Sequence, residues 1–591
     1  MKNFFSRVFS TIVGNLLTFS LILLVLIGFI FFSALTSSPT KPIKDGSVLE
    51  ITLDSPIMES EMDRVPMNLF NLSNQSNSSF YLDDILRAIK NAETDKRIKG
   101  ISLKIEQFQG GFTQADDIRT ALQNFKKSGK FVYAFTNNTS QTSYYIQTVA
   151  DKVYQNPLGM TMLQGLGAEV MFYKNFGDKY GVDFQVIRHG AYKSAVEPYL
   201  RSDLSPENRE QITEYMNDIW TNISTKMAKD RQLSLTDFNI KVDSLYAFIP
   251  EKAKENKLID DLMQESQYDM MILKKLDDSA TELSQKAKTK HFVSLDNYIL
   301  QLDSNSNKNK IGILYASGAI TEGDGFDGIQ SKTYIEAIQK MAEDDKIKAV
   351  VLRINSPGGS ANASEQILYE LDLLRKKKPV VVSFGDVAAS GGYYIAQSSE
   401  RIFANPTTIT GSIGVLGMIP NVKKLANSVG ITTDIAKTNA NADQLKSLTN
   451  PLSADAERTM RKSIESIYHQ FVSHISKNRK MTFEAVDKIG GGHVWSGTKA
   501  KELGLVDEFG GLQDAINYAA KLVKLDAYST EAFPKRKDAF EEFMASITGN
   551  NIDAKLAQEL GTEGQALYKQ IKLINEQKGI QVRMPFNVTI K

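Results

Sequence analysis

Asp95-Lys-Arg-Ile-Lys-Gly-Ile-Ser-Leu-Lys-Ile105 and Asp344-Asp-Lys-Ile-Lys-Ala-Val-Val-Leu-Arg-Ile354 are one phrase written twice, at a displacement of 249 residues. The same displacement pairs Gly110 with Gly359, Tyr144-Tyr145-Ile146 with Tyr393-Tyr394-Ile395, and Asn156-Pro157 with Asn405-Pro406. It also pairs Gly165 with Gly414 and Gly181 with Gly430. Further on, a displacement of 248 pairs Leu204-Ser205 with Leu452-Ser453, and Lys229 and Arg231 with Lys477 and Arg479. A register held over such a length means two copies of one domain. The copies are expected at 46–276 and 310–533, with a polar, lysine-rich linker at 277–309 and a polar helical tail at 534–591.

Each copy alternates strands and helices. In the second, residues 310–316 (KIGILYA), 349–354 (AVVLRI) and 380–384 (VVVSF) are continuous apolar runs of strand length. Segments 333–344 and 365–377 carry helical spacing between them, and 454–479 reads as one long helix. Apolar strands separated by helices predict an α/β fold, a mostly parallel sheet covered on both faces, in tandem duplicate.

Composition narrows the function classes. With 70 basic and 69 acidic residues the net charge is +1, which lacks the basic excess of a dedicated nucleic-acid binder. There is no cysteine, hence no disulfide, thiolate nucleophile or thiolate metal site. The five histidines, His189, His291, His469, His474 and His493, form no ligand-spaced pair, so neither metal nor cofactor is expected. Residues 8–40 carry no charge, and 16–35 are almost wholly apolar. About 20 such residues span a hydrocarbon core of ~30 Å. The run is longer than a signal-peptide core and ends Ala34-Leu35-Thr36, a poor cleavage site. Residues 1–40 are therefore read as a cytoplasmic stub and a single uncleaved transmembrane anchor. Lys2 and Arg7 place the short N-terminus in the cytoplasm and the body on the other side.

Two glycine-rich turns could carry chemistry. Ala388-Ala-Ser390-Gly-Gly-Tyr follows a buried strand and opens a helix, so Ser390 would have backbone N–H groups beside its hydroxyl. Asn355-Ser-Pro-Gly358-Gly359 ends a parallel strand, where such sheets hold their ligand sites. Taken singly, the first is also a plain Ser cap and the second a plain Pro-Gly turn. Comparing the copies separates these readings. Ser390 corresponds to Gln141, and Lys193 of Tyr192-Lys-Ser-Ala-Val-Glu-Pro198 corresponds to Ala442, so each half keeps what the other lacks. A serine needs a base, and a lysine serves as one only when desolvation keeps it neutral. Lys446, near the gap in the register, is a second lysine to consider.

Gly385-Asp-Val-Ala-Ala-Ser390-Gly-Gly-Tyr-Tyr-Ile395, Thr408-Ile-Thr-Gly-Ser-Ile-Gly-Val415 and Tyr192-Lys-Ser-Ala-Val-Glu-Pro198 together resemble the bacterial signal peptide peptidase family, peptidase family S49, in its long duplicated form. The resemblance runs from the N-terminus to about residue 525. It implies a fold similar to the ClpP proteases and crotonases and a serine endopeptidase with a Ser–Lys dyad. In that dyad Ser390 is the nucleophile and Lys193 the general base. Gly391, Gly358 and Gly359 are expected at the oxyanion and Ser412 beside the lysine. The implied substrates are signal peptides and other apolar peptides left in the inner membrane, cut on its periplasmic side. The implied assembly is a ring-like or dome-like homo-oligomer, with a tetramer as its suggested size. Three other readings compete. A ClpP-like Ser-His-Asp peptidase would need a histidine at the second sheet, and an acyl-CoA enzyme has no use for an anchor outside the cytoplasm. A non-catalytic membrane scaffold or peptide-binding module would leave Ser390 unreactive.

Overall fold

The computed structural model describes residues 10–22, 41–60, 79–302, 307–445, 447–535 and 580–584. The first repeat builds a six-stranded sheet in the order Asp261–Leu262, Lys152–Thr161, Phe131–Thr139, Ile98–Leu103, Ser47–Ile51, Phe292–Ser294, every pair parallel. The second builds the corresponding sheet around Val380–Ala389, Ile347–Ser356 and Lys310–Ser317, with Ser529–Phe533 at one edge. Its apolar runs are continuous because alternate residues enter two different cores. Leu314, Val350, Leu352 and Val382 face the helices Ser331–Glu343 and Ala361–Arg375, while Ile313, Val351 and Val381 face the helix Leu512–Leu522. The serines matched at a displacement of 248 prove to be helix caps. Ser205 and Ser453 accept from the backbone N–H of Asn208 and Ala456, opening the long helices Pro206–Asp230 and Ala454–Arg479.

A third sheet joins the repeats. Its order is Ile329–Gln330, Ile320–Thr321, Gly358–Ser360, Ile580–Arg583, Leu416–Asn421, Asp183–Arg188. The last two strands, one from each repeat, pair antiparallel from Asp183 opposite Asn421 to Arg188 opposite Leu416. A buried charge cluster ties the repeats a second time. Arg353 of the second repeat holds Glu59 through Nε (2.8 Å) and an Nη (3.2 Å), and lies 3.9 Å from Asp117 of the first. Asp386 of the second repeat accepts from the N–H of Thr113 in the first at 2.9 Å. Gly111 and Gly511 make room for these carboxylates: a Cβ on either would lie 2.1 Å from the Asp386 carboxyl or 2.0 Å from that of Asp117.

Two expectations need correction. Residues 285–299 are more than a linker, because they form two short helices flanking Phe292–Ser294, which extends the first sheet beside Ser47–Ile51. Its polar, lysine-rich composition hid this, since an edge strand needs few apolar residues. The tail is not uniformly helical either, for Ile580–Arg583 is a strand. The transmembrane expectation for 16–35 falls mostly outside the described residues. Residues 10–22 are helical, and no described helix is long and apolar enough to cross a membrane. Lys446 also lies outside them.

Candidate active site

Ser390 sits where the central strand Val380–Ala389 of the second sheet gives way to the short helix Gly391–Ile395. Its backbone is turned sharply, with φ 53° and ψ −113°, a conformation that L-residues rarely adopt and that folds sustain mainly at functional positions. Such a strand-to-helix elbow lifts the hydroxyl out of the sheet. Just after the neighbouring strand Ile409–Gly411 comes a second unusual residue, Ser412 at φ 50°.

Lys193 reaches this elbow from the other repeat. Its Nζ lies 2.8 Å from Ser390 Oγ, 2.9 Å from the carbonyl oxygen of Ser412 and 3.0 Å from Ser412 Oγ. All three residues are fully buried. A neutral amine has two N–H groups and one lone pair. With Ser412 receiving two N–H bonds, a neutral Nζ would keep its lone pair for Ser390. Burial pushes the Lys193 amine well below its ordinary range, with no carboxylate beside it among the described residues to oppose the shift.

The lysine loop is clasped by glycines from the second repeat. A Cβ on Gly492 would lie 2.5 Å from the Lys193 nitrogen, and one on Gly414 3.1 Å from its side-chain stem. Gln211 fixes the loop from below, donating to the Tyr192 carbonyl (3.2 Å) and Ser194 Oγ (2.9 Å) and accepting from the Val494 N–H (3.1 Å). Gly414 appears in the sequence as a matched glycine, but clearance for a lysine 221 positions away leaves no local signal. The backbone turns at Ser390 and Ser412 were equally silent.

The glycine expectations divide. Gly391 and Gly358 touch: a Cβ on Gly391 would lie 3.1 Å from the α-carbon of Gly358, and one on Gly358 would lie 2.6 Å from the Gly391 nitrogen. Gly358 has φ 96°, and its N–H donates to Ser356 Oγ at 3.1 Å. Gly359 is taken up by the third sheet, paired with Ile320 on one side and Val582 on the other.

In the first repeat the matching elbow is filled by Gln141. Its amide donates to the Gly165 carbonyl at 3.1 Å and accepts from the N–H of Gln164 (3.1 Å) and Gly165 (2.9 Å), closing the space. Among the described residues no histidine bonds Ser390. His493 is stacked between Tyr192 and Trp495, and burial holds it near 4, while His474 faces Glu365.

A buried lysine whose charged form is disfavoured weakens the fold, which gives a measurable consequence. Between its folded value and its ordinary 10.5 the folded state holds one proton fewer than the unfolded chain. Stability therefore falls as pH drops through that window. Lys193→Met is expected to raise the urea midpoint at pH 7, by an amount that shrinks as pH approaches 10.5. Equal midpoints at every pH would mean that the amine is not perturbed.

The profile of Peptidase family S49 matches residues 124–277 and 372–526, so Lys193 falls in the first match and Ser390 and Ser412 in the second. The Clp protease profile matches 302–411. Protease 4 of Salmonella typhi is 36% identical over 510 residues, 85% of this chain and 81% of that protein. Protease 4 of Haemophilus influenzae is 32% identical over 84% of this chain and 83% of its own length. The chloroplastic serine protease SPPA of Arabidopsis thaliana is 30% identical over 83% and 71%.

Proposed function

From the premise that this chain belongs to peptidase family S49 and is a serine protease, we propose that Ser390 is its nucleophile and Lys193 its general base. The observation that carries the proposal is the 2.8 Å approach of Nζ to Oγ inside a fully buried site. Lys193 takes the Ser390 proton as Oγ attacks a peptide carbonyl. The negative oxygen that forms is met by the N–H of Gly391, with Gly358 beside it. The protonated amine, held by the Ser412 carbonyl and hydroxyl, then passes its proton to the leaving nitrogen. Water completes the cycle by hydrolysing the acyl-enzyme.

The substrates in this proposal are signal peptides and other extended apolar peptides, met at a membrane to which residues 1–40 tether the enzyme. The charge-free run at 8–40 supports the tether. A homo-oligomer belongs to the same proposal. Its support is a set of exposed apolar side chains, Met171, Phe176, Tyr180, Val429 and Ile431, on the adjoining segments around the helices Lys174–Tyr180 and Lys423–Ser428.

A fluorophosphonate probe tests the site directly. Labelling of the solubilised protein, with the adduct located on Ser390 by mass spectrometry and lost in Ser390→Ala, is the expected result. A folded protein that takes no label, or takes it elsewhere, refutes the assignment.

A further inference from the structure

The loop that carries Lys193 is held by a buried polar chain whose far end is a carboxylate. Glu197, Asn208, Gln211 and Ser194 are all buried, with Glu197 only 1% exposed. Asn208 Nδ2 donates to Glu197 Oε2 at 2.9 Å. Asn208 Oδ1 accepts from Ser194 Oγ (2.8 Å) and from Gln211 Nε2 (3.0 Å). Gln211 Nε2 also donates to Ser194 Oγ (2.9 Å) and to the Tyr192 carbonyl (3.2 Å), so it touches both neighbours of Lys193. Its Oε1 accepts from the Val494 N–H at 3.1 Å. Val494 belongs to the second repeat and lies opposite Gly411, and the carbonyl of His493 before it accepts from the Ser412 N–H. The chain thus runs from Glu197, past both sides of Lys193, to the strand pair that ends at Ser412.

Both ends fix the sense of this chain. A carboxylate only accepts and a backbone N–H only donates, whereas an amide can present either group. With Glu197 accepting, Asn208 turns its NH2 to the carboxylate and its oxygen to Ser194 and Gln211. Gln211 then directs its NH2 at that oxygen and at the lysine loop, which leaves its own oxygen for Val494. Glu197 reaches the loop by a second route. Its Oε1 lies 3.8 Å from Arg188, whose Nη1 donates to the Lys193 carbonyl at 3.0 Å. Burying a carboxylate is costly, and a glutamine would fill the same volume without a charge. What the carboxylate supplies and an amide does not is an acceptor that cannot reverse.

We propose that Glu197 is a positioning residue: acting through Asn208 and Gln211, it sets the sense of the hydrogen-bond chain that holds Lys193 against Ser390 and Ser412. The proposal rests on Ser390 and Lys193 being the dyad and adds the group that keeps them in register.

The test is an exchange made in the full chain. Glu197→Gln lets position 197 donate, so Asn208 and Gln211 can turn over and set an NH2 against the Val494 N–H. Displacing a reacting group by about 1 Å costs about 10²-fold, and that is the expected fall in kcat for an apolar peptide, at unchanged KM. Fluorophosphonate labelling of Ser390 slows with it. Asn208→Asp alone sets two carboxylates against each other and is expected to lose as much. With Glu197→Gln and Asn208→Asp combined, donor and acceptor of the 2.9 Å bond change places, and the new carboxylate still accepts from Ser194 and Gln211. The combined variant is expected to recover to within about tenfold of the parent, the scale of one hydrogen bond. The bond it forgoes is the one from the Ser205 N–H, 3.3 Å from Glu197 Oε2. Such rescue marks residues acting in one network, whereas a carboxylate needed only for stability would leave kcat per folded molecule unchanged. Parent-like kcat in either single variant overturns the proposal, as does a combined variant no better than the singles, folded or not. If a single variant does not fold, a combined variant that folds and turns over still supports the chain. A parent that takes no label at Ser390 removes the dyad and this proposal with it. A parent that labels there, with Glu197→Gln as active as the parent, removes the positioning role alone.

Discussion

Lys193→Ala is expected to lower kcat for an apolar peptide by about 10⁴-fold or more, the scale on which removing a nucleophile's base acts. KM should change little, because Lys193 contributes no surface to the peptide groove and is wholly buried behind Ser390. Lys193→Arg should fail equally. The guanidinium stays protonated at any working pH and has no lone pair for the Ser390 proton. The stem would also be too bulky for the space bounded by Gly414 and Gly492. Steady-state kinetics on the three proteins, with circular dichroism to show that each is folded, decides the matter. Retention of a tenth of the parent rate in Lys193→Ala would remove the lysine from the mechanism.

Arg353→Ala should have the largest effect on stability. The arginine is fully buried and faces the buried Glu59 and the part-buried Asp117 and Asp386. Burial already raises the Asp117 carboxyl to about 7, and Asp386 is raised for the same reason. Removing one partner of such a pair leaves uncompensated buried charge and costs about 3–5 kcal/mol. The loss should ease as the medium is acidified below pH 7, because Asp117 then enters the fold neutral. Urea denaturation at pH 5 and pH 8 measures both quantities. A destabilisation under about 1 kcal/mol at pH 8, the scale of an exposed pair, would show that the cluster contributes only what a surface ion pair does.

The sequence disclosed the fold through repetition. The doubled phrase at Asp95 and Asp344 lies in the strands Ile98–Leu103 and Ile347–Ser356, and the predicted helix 454–479 is observed as Ala454–Arg479. The candidate pair was legible for a related reason: comparing two copies shows where one has lost a group, as with Gln141 against Ser390. What stayed hidden depends on contacts between distant segments. Nothing near Gly414 announces that a lysine stem crosses it. The composition of 534–591 gives no hint that Ile580–Arg583 completes a sheet more than a hundred and fifty residues away at Leu416–Asn421. The pairing of Asp183–Arg188 with Leu416–Asn421, which brings Lys193 to Ser390, is likewise a tertiary fact.

Placing the two proposed catalytic groups 197 residues apart, on halves that must dock before they meet, also sets an order of events during synthesis. The amine leaves the ribosome first, on a half whose own elbow is plugged by Gln141. The hydroxyl follows only after the second sheet has begun to emerge. A chain that ends before the second sheet therefore lacks the proposed pair, and hydrolytic competence is expected to wait until the two halves have docked.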